Sequence, residues 1–150
     1  MKGSFKLGNI AGIDVFLHWT FSLLIIYIVY INYKAGQNIV QIAWSVLFIL
    51  SVFATVLLHE LGHSITAKKF NIKTYNITLL PIGGIASLEK LPEKPSEELM
   101  VAFAGPMVNI VLALILSLFI YYPNNSEEMI AQLSGGINGN NFLLNFFLVN

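Results

Sequence analysis

The 150-residue chain has no cysteine and no arginine, a single aspartate (Asp14), and three histidines, His18, His59 and His63. Without cysteine, neither a disulfide nor a thiolate metal site can form, so any metal must rest on His, Asp or Glu. Charged residues make up 11% of the chain, against about a quarter in soluble domains. That is too few to cover a water-facing surface. With 56% apolar residues and a mean hydropathy of +0.73, the bilayer is the natural solvent. The formal net charge is zero, which gives no reason to expect a nucleic-acid partner.

What is present in quantity is long apolar runs. Three are long enough to cross a membrane, which needs about 20 helical residues: Val15 to Tyr33, Ile39 to Leu58, and Leu99 to about Tyr122. A fourth, Phe142 to Val149, is cut short by the chain's end; eight helical residues reach only about 12 Å of a hydrocarbon core about 30 Å thick. The first run lacks a small-residue cleavage site after it, so it does not read as a signal peptide. Lysines orient the array. Lys2 and Lys6 precede the first run, and Lys68, Lys69, Lys73, Lys90 and Lys94 fall in the second loop, against Lys34 alone on the other side. The positive-inside rule places the amino terminus and the Lys68–Lys94 loop in the cytosol of a multi-pass cell-membrane protein. Glu127, Glu128 and the Asn- and Gly-rich third loop then lie outside, and Trp19 and Trp44 are placed as interfacial anchors.

At the end of the second run stands His59-Glu60-Leu61-Gly62-His63. In a helix, positions i and i+4 share a face, so both imidazoles can hold one metal ion, with Glu60 on the adjoining face as general base. Two neutral nitrogens, a carboxylate ligand and an open position suit a catalytic Zn²⁺. The bland alternative is two ordinary interfacial histidines, but two His and a Glu at membrane depth are costly without a partner. Gly62 leaves room for close approach of a backbone or substrate.

Downstream, Tyr75–Leu88 contains β-prone Ile77, Thr78, Leu79 and Leu80, then Pro81 and the Gly83-Gly84 pair, which reads as an extended segment with a tight bend. It could be an ordinary hairpin, or an edge strand that holds a peptide extended by main-chain pairing. Pro106 should kink the third span, with Asn109 one turn beyond Gly105. The Asn109 amide could donate to a developing oxyanion or bridge two helices. His18 is either hydrogen-bonded structure or a residue near the site.

Leu57-Leu58-His59-Glu60-Leu61-Gly62-His63-Ser64 resembles the metal helix of the site-2 protease family. Gly12-Ile13-Asp14-Val15-Phe16-Leu17-His18-Trp19-Thr20, Pro81-Ile82-Gly83-Gly84-Ile85-Ala86 and Ala104-Gly105-Pro106-Met107-Val108-Asn109 resemble other segments of that family in the same order. Its bacterial and archaeal branch is the nearest in pattern. The resemblance implies an α-helical integral membrane protein, with three transmembrane helices, the start of a fourth, and a short β or re-entrant loop after the metal helix. Residues 1–150 would form a single membrane-embedded metalloprotease core, incomplete at the C-terminus.

The implied activity is zinc-dependent intramembrane endopeptidase cleavage of transmembrane segments of membrane-anchored proteins in regulated proteolysis. It implies Zn²⁺ held by His59 and His63, Glu60 as catalytic residue, and Asn109, Gly83 and Gly84 as substrate or transition-state support. The partners are a transmembrane protein substrate and the lipid bilayer. The family takes its third ligand, an Asp, from a later helix, and this chain has no Asp after Asp14. The alternative is therefore a catalytically inactive relative or fragment that binds metal or client helices without cleaving.

Overall fold

The computed structural model describes residues 3–118, 136–139 and 141–149. In order these form β1 (Ser4–Ile10), β2 (Ile13–His18), α1 (Thr20–Lys34), α2 (Ile39–Lys69), β3 (Thr74–Leu80), β4 (Gly83–Leu88), α3 (Pro95–Ser117) and α4 (Phe142–Val149). The chain divides into two compact units, Met1–Leu24 with Phe53–Ile110, and Ile25–Val52 with Val111–Asn150.

The first unit holds a four-stranded mixed sheet in the order β1-β2-β3-β4. β1 and β2 are antiparallel, β2 and β3 parallel, and β3 and β4 antiparallel. Ala11 and Gly12 join β1 to β2 with φ of 55° and 87°. Two positive φ angles in a two-residue loop match the right-handed twist of a hairpin. Lys6 and Asn9 both donate to the Asp14 carboxylate, at 2.6 and 2.7 Å, and Lys6 foremost holds that carboxyl below its ordinary range. Alternation along β2 turns Ile13 and Val15 inward, where Ile13, Ile77 and Leu61 of α2 form a buried cluster with Leu57 and Ala86 against it. A second cluster, Ala67, Ile72 and Val101, packs against Phe70 and Leu88.

The end of α2 is a Schellman cap. Asn71 takes φ 58°, its N–H donates to the Lys68 carbonyl, and the Ile72 N–H reaches back to the Ala67 carbonyl. In the second unit, Asn38 opens α2 with a reciprocal box: its Oδ1 accepts from the Gln41 N–H, and its own N–H donates to Gln41 Oε1. There Ser45 Oγ donates to Asn32 Oδ1, and the Phe142 ring sits beside those of Trp44 and Phe48.

Three transmembrane helices plus the start of a fourth is not the arrangement found. Among the described residues there are four helices, of which only α2 and α3 are long and apolar enough to cross a membrane. Just 22% and 11% of their most apolar stretches are buried within the chain, unlike the core helices of a soluble protein. The expected first span fails because Val15–His18 belongs to β2, leaving α1 with 15 residues. At 1.5 Å each these span about 22 Å, short of the core's ~30 Å. An apolar run alone does not separate strand from helix; alternation and the Ala11-Gly12 turn decide it. Likewise Tyr75–Leu88 is no isolated loop but half of the sheet. The boundaries of the apolar runs also shift: α2 continues past Leu58 to Lys69, and α3 starts at Pro95, ahead of the apolar run that begins at Leu99. Residues 119–135, including Tyr122, Glu127, Glu128 and most of the third loop, lie outside the described residues.

Ile77 is 0% exposed and Ile82, at the β3–β4 turn, is 91% exposed. Ile77→Ala is therefore expected to lower unfolding free energy by about 3 kcal/mol. Ile82→Ala should stay within about 0.5 kcal/mol, both read by unfolding in a denaturing-detergent titration. Equal effects would contradict a packed sheet.

Candidate metal centre

Every sequence-predicted site residue except His18 lies on α2, β4 or α3 in the first unit. Helical spacing brings the His59 and His63 rings to 4.7 Å between centroids, nearly perpendicular at 78°. Their convergence is best seen from Gly105 of α3. A Cβ built there would have both Nε2 atoms within 2.6 Å, so the two nitrogens surround one small volume beside a residue with no side chain. Zinc–nitrogen bonds are about 2.0–2.1 Å, so one ion can bridge nitrogens this close.

His63 Nδ1 lies 2.7 Å from the Val101 carbonyl oxygen. A carbonyl can only accept, so Nδ1 carries the proton and Nε2 keeps its lone pair, the form a metal needs. The ring is thereby fixed in both orientation and tautomer. α2 and α3 approach closely around this bond, since Ala104 O and Val108 Cγ2 each lie 2.8 Å from where a Cβ on Gly62 would stand. On the adjoining face, Glu60 lies under β4. A Cβ at Gly84 would come within 2.7 Å of Glu60 Cγ. His59, Glu60 and His63 are all partly buried, neither sealed nor open.

Gly83 opens β4 with φ 137°, a backbone conformation that favours glycine. Asn109 lies on α3 one turn beyond Gly105, hence on the same helix face. His18 stands apart. Its Nδ1 is 2.7 Å from Thr20 Oγ1 at the start of α1, a local hydrogen bond at a helix amino terminus. Among the described residues, no three His, Cys, Asp or Glu side chains lie close enough to hold a metal together. The donors present fit two corners of a zinc site.

The sequence model of peptidase family M50 matches residues 47–146. The chain belongs to peptidase family M50. A zinc metalloprotease of Methanocaldococcus jannaschii is 42% identical over 116 residues, which are 77% of this M50 chain and 32% of that protein. Stage IV sporulation protein FB of Bacillus subtilis is 38% identical over 65 residues, 43% of this chain and 23% of that one. The solved site-2 protease from M. jannaschii superposes with a TM-score of 0.65 at 32% identity, covering 97% of this chain and 60% of that one. The M50 chain thus spans about a third of the length of the first of these relatives.

Motif reading gives two contributors no role. The Val101 carbonyl is main chain and has no sequence signal. Gly105 has one: a helix-interior glycine costs roughly 1 kcal/mol relative to alanine, so its presence calls for a packing reason. Gly105→Ala gives opposite signs for two readings. If Gly105 only weakens the helix, alanine should stabilise the protein and leave bound metal unchanged. With the imidazoles in the way, metal affinity is expected to fall at least ~10-fold, on the scale of lost metal-site support, as read by metal analysis after dialysis.

Proposed function

We propose that this chain is the metal-binding core of a zinc-dependent intramembrane endopeptidase, and that residues 1–150 form one membrane-embedded unit of it. The observation that carries the proposal is the pair of convergent Nε2 atoms, one held in the metal-binding tautomer by Val101, beside a carboxylate on a helix long and apolar enough to cross a membrane. Membership of family M50 and the zinc metalloprotease among the relatives support it.

In this reading His59 and His63 would hold Zn²⁺, which would supply Lewis acidity toward a peptide carbonyl and water. Glu60 accepts the proton of the attacking water and delivers it to the departing amine. β4 is the terminal strand of the described sheet, and Gly84 brings its backbone over Glu60. An extended substrate that pairs with β4 would lie across the catalytic carboxylate, with Gly83 and Gly84 offering no side chains to obstruct it. A helix exposes its peptide bonds poorly to attack, so unwinding onto a strand edge is a physical requirement. In this reading Asn109, one turn beyond Gly105 on α3, donates its amide to the carbonyl oxygen under attack.

The substrate is a transmembrane segment of a membrane-anchored protein, cut near the cytosolic face. The lysine distribution supports a cytosolic amino terminus and Lys68–Lys94 loop.

In the intact gene product reconstituted in liposomes with a fluorogenic transmembrane peptide, Glu60→Gln is expected to retain zinc while cleavage falls 10²–10⁴-fold, the range for loss of a general base. His59→Ala should lose both. Cleavage that survives Glu60→Gln would overturn the assignment of the base. Zinc binding with no cleavage by the unsubstituted protein would favour a metal-binding relative that does not cut.

A further inference from the structure

On the face of α2 next to the imidazoles, Ser64 and Lys68 stack one turn apart and border a cavity of about 330 Å³. Ala11 and Gly12 of the β1–β2 turn close one side, and Lys73 and Thr74 at the start of β3 another. Ser64 is 1% exposed and Thr74 5%, and neither hydroxyl oxygen has a hydrogen-bond partner among the described residues. Buried hydroxyls are normally bonded, and two orphans on one cavity call for an explanation.

The charge around the cavity is of one sign. Lys68 Nζ is anchored at the rim by the Ala11 carbonyl, 3.3 Å away. Lys73 is exposed, and its flexible ammonium rests 5.7 Å over the Tyr75 ring. No carboxylate lines the cavity. Asp14, two residues beyond Gly12, is engaged by Lys6 and Asn9. Two ammonium groups at the mouth, with two unbonded hydroxyls buried in the wall that side-chain rotation would turn into the cavity, suit an anion with several acceptor oxygens around one centre.

We infer that this cavity binds a phosphoryl group, presented by an anionic phospholipid of the leaflet that Lys68 faces. The choice of lipid rests on the membrane reading of α2. Its 31 residues extend about 46 Å, beyond a hydrocarbon core of ~30 Å, so the turns carrying Ser64 and Lys68 reach headgroup level. Juxtamembrane lysines are attracted to anionic lipid there.

The test uses the intact protein in neutral detergent, with a fluorescent phosphatidylglycerol as probe and phosphatidylcholine and inorganic phosphate as competitors. Saturable binding, at least tenfold preference over phosphatidylcholine, and at least tenfold loss in the Lys68→Gln, Lys73→Gln double variant are expected. Thr74→Val should weaken binding several-fold without lowering the thermal midpoint of lipid-free protein, because its hydroxyl has no protein partner to lose. If inorganic phosphate displaces the probe at low concentration, the phosphoryl site stands and its source is soluble. Equal affinity for the two lipids, with both variants unchanged, overturns the proposal. Zinc content of the same samples keeps the two readings apart: zinc loss with intact lipid preference sinks the protease and leaves this site, and the reverse does the opposite.

Discussion

The hydrogen bond from His63 to the Val101 carbonyl ties the chemistry to the fold. It spans two helices, and it forms only because Gly62 lets the α3 backbone come close and Gly105 leaves space for two imidazoles. The bond decides which nitrogen of His63 is available, and a metal site built on the other tautomer would have no second ligand facing His59. Any change that separates α2 from α3 disrupts the position and the tautomer of His63 together.

The sheet supplies the other constraint. Ile77 and Leu61 pack β3 against α2, and Gly84 of the following β4 stands beside Glu60. In the proposed function a substrate drawn from a membrane segment must be extended, and the β4 edge beside Glu60 is where it would pair. Glycine at position 84 is then a matter of clearance: a side chain would strike Glu60.

What was legible in the sequence is the grouping of His59, Glu60 and His63 on α2, because helical spacing sets it. Gly84 and Asn109 were named as site residues only on motifs that resemble the family. The architecture was read less well. Val15–His18 is apolar enough to pass for the head of a span, and hydropathy averages over the alternation that makes it β2. β1, with Phe5 and Leu7 exposed and Lys6 between them, has no buried face of its own to advertise a strand. The Val101 carbonyl could not be read at all, since every residue carries one. Gly105 stood in plain view beside Pro106, but its purpose depends on a neighbour 42 positions earlier.

Zinc K-edge X-ray absorption on the purified intact protein bears most directly on the central claim, that His59 and His63 share one ion through Nε2. The account predicts imidazole multiple scattering from two histidines at about 2.0–2.1 Å, reduced to one in His63→Ala. A spectrum without imidazole, or one unchanged by that substitution, would contradict it.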